Sequence, residues 1–66
     1  MDPQKALDEM AECVENDEWE RAAEIASDLR TWVDRGGFIP DIIGKPKFDT
    51  MLLWLACEAV ISWEVV

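Results

Sequence analysis

The chain of 66 residues contains no histidine and no tyrosine, and its two cysteines, Cys13 and Cys57, lie far apart. Common zinc sites use histidines or closely spaced cysteine pairs, and neither is present. Acid–base catalysis would fall to carboxylates, thiols or lysine, and no histidine is available to activate a thiol as a nucleophile. We therefore expect no enzymatic activity, no metal ion and no cofactor.

Basic residues are also scarce. Six lysines and arginines stand against fifteen aspartates and glutamates, and residues 1–35 alone hold eleven of the acids. Because proteins bind nucleic acids by neutralising phosphates with lysine and arginine, direct binding to nucleic acid is disfavoured. The net charge of −9 indicates either a surface that keeps the protein in solution or a surface that meets a basic protein partner.

A long hydrophobic run is missing as well. The most apolar run, residues 51–57, stops at Glu58, whereas a membrane-spanning helix needs about 20 apolar residues. We therefore expect no membrane segment. No secretory leader precedes the acidic start, which predicts a cytoplasmic protein. In that reducing compartment Cys13 and Cys57 are predicted to be small buried side chains; a disulfide between them is the alternative.

What is present is helical patterning. Asp2 is a suitable helix cap and Pro3 suits a first turn, so a helix is predicted over about residues 3–15. Asn16 is expected to end it, and Asn16 or Asp17 to cap the next helix. The apolar residues recur at the three- and four-residue spacing of one helix face. They are Leu7, Met10, Ala11 and Val14.

A second helix is predicted over about residues 17–35, since apolar residues again repeat on one face and Gly36-Gly37 is a strong stop signal. Several residues of that face are small, which allows another helix to approach closely. The face consists of Trp19, Ala22, Ala23, Ala26, Leu29, Trp32 and Val33, widened by Ile25.

Residues 36–49 hold three glycines and two prolines, so no long helix is expected there. The segment is too apolar for a disordered linker, and we predict an ordered loop laid across the helices. Asp49 is expected to cap a third helix over about residues 50–64. The apolar residues of the loop are Phe38, Ile39, Ile42, Ile43 and Phe48.

The third helix is apolar on nearly every side. One arc has no polar residue and is predicted to face the core: Leu52, Leu53, Leu55, Ala56, Ala59, Val60 and Trp63. The opposite arc is more apolar than a monomer normally leaves in water, which predicts a homo-oligomer, most simply a dimer. The predicted interface residues are Met51, Trp54, Glu58, Ile61 and Val65.

The segment Asn16–Leu29 reads N-D-x-W-x-x-A-A-x-I-A-x-x-L and resembles the middle of a tetratricopeptide repeat. Trp19 matches the aromatic position of that family, and Ala22 matches its closely packed alanine. The resemblance covers roughly residues 4–33 and implies a helical hairpin that binds proteins and has no enzymatic activity. In its small size and acidity the chain is also similar to many phage and bacterial proteins.

The sequence therefore predicts an all-α domain: an antiparallel helical hairpin, an ordered apolar loop and a hydrophobic third helix. The predicted function is a non-catalytic interaction module that self-associates through its C-terminal helix. The alternative is an acidic inhibitor or nucleic-acid mimic that binds a basic protein through the carboxylates Asp8, Glu9, Glu12, Glu15, Glu20, Glu24 and Asp28. The expected core is Leu7, Met10, Val14, Trp19, Ala22, Ile25, Ala26, Leu29, Trp32, Phe38, Leu52, Leu55, Ala59 and Trp63.

Overall fold

The computed structural model describes residues 2–63, which form three helices and no strand: α1 (Pro3–Glu15), α2 (Trp19–Asp34) and α3 (Pro46–Ser62). Helix α2 packs against both α1 and α3, so it is the middle helix. The indole rings of Trp19 and Trp63 stack, which places the start of α2 beside the end of α3. The prediction of an all-α fold with a helical hairpin and a third helix is confirmed.

Local sequence signals explain where α1 begins and where α1 and α2 end. Asp2 Oδ1 accepts a hydrogen bond from the backbone N–H of Lys5 at 3.2 Å, as its predicted role as a cap requires. Each of the two helices then ends in one left-handed residue, at Asp17 with φ 59° and at Gly36 with φ 83°. The stop predicted at Gly36-Gly37 is confirmed.

The two helix ends share one hydrogen-bond pattern. The Glu18 N–H donates to the Cys13 carbonyl oxygen at 2.8 Å, and the Gly37 N–H donates to that of Trp32 at 2.9 Å. These bonds satisfy carbonyls that a helix end leaves without partners. The predicted cap of α2 at Asn16 or Asp17 is wrong, because α2 begins at Trp19 and its capping residue is Glu18, without a side-chain capping bond.

Replacing Asp17 by glycine is expected to raise the free energy of unfolding by about 0.5–1 kcal/mol, because glycine adopts the left-handed backbone without the steric cost of a Cβ. Chemical denaturation followed by circular dichroism measures the change. Asp17→Ala is the matched control, since it also removes the carboxylate but keeps a Cβ. An equal gain in both variants would assign the effect to charge instead of backbone conformation.

Helix α3 begins four residues before the predicted start. Pro46 occupies its first turn, where proline's fixed φ and missing N–H cost nothing, and Lys45 is the capping residue. The prediction that Asp49 caps α3 is wrong, because Asp49 lies inside the helix and is buried. Its Oδ1 accepts a hydrogen bond from the backbone N–H of Ile43 at 2.8 Å, so the carboxylate fastens the loop to α3.

The loop between α2 and α3 forms hydrogen bonds with side chains of both α2 and α1. The Trp32 indole N–H donates to the Phe38 carbonyl at 2.9 Å, and the Asp41 N–H donates to Gln4 Oε1 at 3.0 Å. The Trp32 ring lies so close to Gly37 that any Cβ there would overlap it. These contacts support the prediction of an ordered loop lying across the helices.

The core is small. The fully buried hydrophobic residues are Met10, Cys13, Ala22, Ala26, Leu29, Leu53 and Cys57. Half-buried residues pack against them, among them Leu7, Val14, Ile25, Ile39, Ala56, Val60 and Ile61. Trp19, Trp32 and Leu52, which were predicted to be core, are half-buried. The prediction that both thiols are buried is confirmed, and both are free.

Four predicted core residues are exposed instead, namely Phe38, Leu55, Ala59 and Trp63. Three of them lie on α3 or at its end. They are exposed because that helix is rotated about its axis by roughly a quarter turn from the predicted orientation. The rotation carries Cys57 into the core and turns Leu55 outward. A helix without a polar face has no sequence pattern that fixes its rotation.

Candidate functional site

The most exposed apolar feature of the described helices is one face of α3, which we call the outer stripe: Phe48, Met51, Leu55 and Ala59. Spacings of three and four residues place these side chains on one side of the helix. Phe48, Met51 and Leu55 keep 50%, 59% and 66% of their surface exposed, respectively. The stripe is therefore a surface of uncharged side chains that residues 2–63 leave uncovered.

The structure separates the five predicted interface residues. Met51 lies in the outer stripe and Ile61 packs against the core, while Val65 is outside the described residues. Trp54 and Glu58 contact α2 through one arginine. Arg30 Nη1 donates to Glu58 Oε2 at 2.6 Å, and its guanidinium lies 4.8 Å from the centre of the Trp54 ring.

The net charge around the outer stripe is small because Arg30 pairs with Glu58. Between Phe48 and Ala59 the charged residues are Asp49, which is buried, and Glu58, which is paired with Arg30. Because the pair is exposed to solvent, its contribution to stability is small. Its effect on the surface is larger, since between Phe48 and Ala59 it leaves no exposed charge without a partner; the exposed Lys47 lies at the N-terminal end of the stripe.

An apolar groove lies beside the stripe, with a volume of about 270 Å³. Ala59 belongs to both features, so the two surfaces are continuous. At one side of the groove the rings of Trp19 and Trp63 stack with their centres 5.8 Å apart and their planes 18° from parallel. The residues that line the groove are Val14, Trp19, Ala59, Val60 and Trp63.

The predicted acidic face lies on the two hairpin helices. Six of its seven carboxylates are exposed, in two rows at three- or four-residue spacing: Asp8, Glu12 and Glu15 on α1, and Glu20, Glu24 and Asp28 on α2. The seventh, Glu9, is half-buried and forms an ion pair with Arg21. Arg21 and Arg30 are thus engaged with carboxylates of neighbouring helices.

Cys13 forms part of the lining of a polar cleft of about 430 Å³ between α1 and α2. Its Sγ lies 3.8 Å from Glu18 Oε2, and burial together with this carboxylate raises the pKa of the thiol. Burial likewise raises the pKa of Cys57. Both cysteines are therefore kept as thiols, the unreactive form.

Residues 2–63 contain neither a group of side chains suited to a metal ion nor a helix suited to a membrane. No three or more cysteine, aspartate or glutamate side chains are grouped so that they could hold a metal ion. No helix in that range combines the length and the apolar character needed to cross a membrane.

The sequence matches no model of a known protein family, and no characterised protein or solved structure is similar enough to match it. The residues that resemble a tetratricopeptide repeat do lie in a helical hairpin, with Ala22 fully buried and Trp19 half-buried. The protein binding that this resemblance implies stays a prediction.

Proposed function

We propose that this protein is a non-catalytic protein–protein interaction module that self-associates through the outer stripe of α3. The observation that carries the proposal is the exposure of Phe48, Met51 and Leu55 on one uncharged helix face. Contiguous exposed apolar surface on a small protein is typical of an interaction site. We place the association in the cytoplasm, where the two free thiols stay reduced.

The small core supports the same proposal. Within residues 2–63, seven large hydrophobic side chains are exposed, and only three are fully buried: Met10, Leu29 and Leu53. A chain of this length buries too little surface on folding to be more than marginally stable, and small proteins commonly gain stability by oligomerisation. A second copy over α3 would move large apolar side chains from water into contact with one another.

The distribution of charge favours a second copy over a basic partner at this face. Two chains of net charge −9 repel each other, so they associate best through the surface with the least negative charge. Residues 1–35 hold eleven of the fifteen acids, and the outer stripe has none. A basic partner would be drawn to the hairpin instead.

Replacing Leu55 by aspartate is expected to convert a dimer into a monomer, because burying an unpaired charge is costly. Light scattering after size-exclusion chromatography measures molar mass over a concentration series. The series extends to about 500 µM, because the few partly exposed side chains of the outer stripe support micromolar affinity or weaker. Ala11→Asp is the matched control: it adds the same charge at an exposed position of α1. A wild-type monomer at every concentration would refute the proposal.

The acidic rows on α1 and α2 favour a second candidate function, an acidic inhibitor or nucleic-acid mimic. Carboxylates four residues apart on a helix are spaced by about 6 Å, and such a row can present negative charge in a line as a nucleic acid does. The test is capture of a basic, nucleic-acid-binding protein at low salt. Capture should be competed by duplex DNA and lost when Glu20, Glu24 and Asp28 are changed to glutamine.

A further inference from the structure

The outer stripe, together with the exposed Ser62 that follows it on the same side of α3, has a symmetric arrangement of large and small side chains about Leu55. Met51 and Ala59 each lie four residues from Leu55, and Phe48 and Ser62 each lie seven residues from it. Along the helix axis these separations are about 6 Å and about 10.5 Å. On the N-terminal side of Leu55 both side chains are large, and on the C-terminal side both are small and exposed.

We propose that two copies associate through antiparallel α3 helices related by a two-fold axis at Leu55; this inference rests on the self-association proposed above. Leu55 then meets Leu55 of the second copy, Met51 lies level with Ala59, and Phe48 lies level with Ser62. Large side chains oppose small ones at every level except the centre. The two helix dipoles also run in opposite directions, which is the favourable arrangement.

A parallel pair of α3 helices would fit less well. Each residue would meet its own copy, so Phe48 would oppose Phe48 and Met51 would oppose Met51. At Ala59 and Ser62 two small side chains would face each other and leave a gap. Close packing of interfaces disfavours both the crowding at one end and the void at the other.

The apolar groove gives the antiparallel arrangement a further contact. Ala59 forms part of the groove's lining, together with Val14, Trp19, Val60 and Trp63. In an antiparallel pair the Met51 side chain of the second copy stands over Ala59, at the mouth of this groove. Methionine is flexible and polarisable, and it fills irregular apolar spaces beside aromatic rings. The groove and the stripe then form one continuous interface with the second copy.

Disulfide cross-linking of two variants that each add one exposed cysteine to the chain, Met51→Cys and Ala59→Cys, tests this register. In the antiparallel pair, position 51 of one protomer lies about 12 Å along the axis from position 51 of the other, and the same holds for position 59. Both separations are beyond the reach of a disulfide. Each variant alone should therefore stay unlinked in oxidised glutathione, and an equal mixture should form covalent dimers. Wild-type protein is the control, since Cys13 and Cys57 are buried.

The outcomes separate this inference from the proposal on which it rests. A covalent dimer in the mixture alone supports the antiparallel register. Covalent dimers in each separate variant show a parallel pair and overturn it. If light scattering shows a dimer but neither the separate variants nor their mixture forms a covalent link, the interface lies on another face, which also overturns the inference. A wild-type monomer by light scattering overturns the proposed function itself.

A second pair of variants keeps the register testable if either cysteine substitution weakens the dimer. Met51→Lys and Ala59→Glu each bury an unpaired charge and should give monomers when alone. Mixing them brings the two charges together only in the antiparallel register, so the mixture should regain the dimer mass. Failure of the mixture to associate, while wild type is dimeric, would contradict the proposed register.

Discussion

Replacing Leu29 by alanine is expected to lower the free energy of unfolding by about 2–5 kcal/mol, the range typical of a leucine removed from a filled core. Leu29 is fully buried on the middle helix and belongs to the cluster that joins the three helices. The stability of a chain of this length is of order 3–10 kcal/mol, so the variant should lose much of its fold. Chemical denaturation followed by far-ultraviolet circular dichroism measures the loss.

Leu55→Ala is the matched control, because it makes the same chemical change on the outer stripe. Leu55 is 66% exposed, so its truncation leaves no internal cavity and should change the stability of the isolated chain little. Its expected effect is on association, which weakens when the central contact of the proposed dimer is lost. Equal losses in dilute samples of both variants would contradict the observed orientation of α3.

The second large effect is expected at Asp49, the buried acidic residue of the described core. Asp49→Ala removes the acceptor of the Ile43 N–H, and leaving that donor without a partner costs about 1–3 kcal/mol. Hydrogen exchange at the Ile43 amide provides a specific measurement, since its protection should disappear together with the bond. Asp49→Asn keeps an oxygen acceptor and should retain part of that protection.

Thermal or denaturant stability alone would not separate this effect from a general loosening of α3. Thr50→Ala is a useful comparison, because the Thr50 hydroxyl donates to the Pro46 carbonyl in the same first turn of α3 and forms no hydrogen bond with the loop residues 35–45. If Thr50→Ala removed protection at Ile43 as completely as Asp49→Ala, the Asp49–Ile43 bond would not be what holds the loop.

The fold could be predicted from the sequence because its boundaries depend on local signals. Asp2 caps α1 through a bond to a residue three positions away, and Gly36 ends α2 by a backbone conformation that glycine adopts freely. Such features need no knowledge of the rest of the molecule. The start of α3 was harder, since Pro46 and Asp49 are both start signals and lie three residues apart. Pro46 prevails because the Asp49 carboxylate is engaged with the loop.

The outer stripe could not be located in the same way, because the rotation of α3 depends on contacts with α2. Nearly every side of α3 is apolar, and periodicity therefore favours no single face. One signal was available: cysteines are among the most often buried residues. If Cys57 is taken as a core residue, Leu53 and Val60 turn inward with it and Leu55 turns outward, as the structure has them.

The stacked indoles of Trp19 and Trp63 have a practical consequence for following how the molecule forms. The two rings come from the start of α2 and the end of α3, and they meet only when α3 has closed onto the hairpin. The near-ultraviolet circular dichroism of these coupled indoles is thus an optical marker for the docking of α3. Far-ultraviolet dichroism reports helix content whether or not α3 is docked. Coincident transitions in the two signals would identify a single cooperative unit, and separate transitions would reveal a hairpin that forms before its third helix arrives.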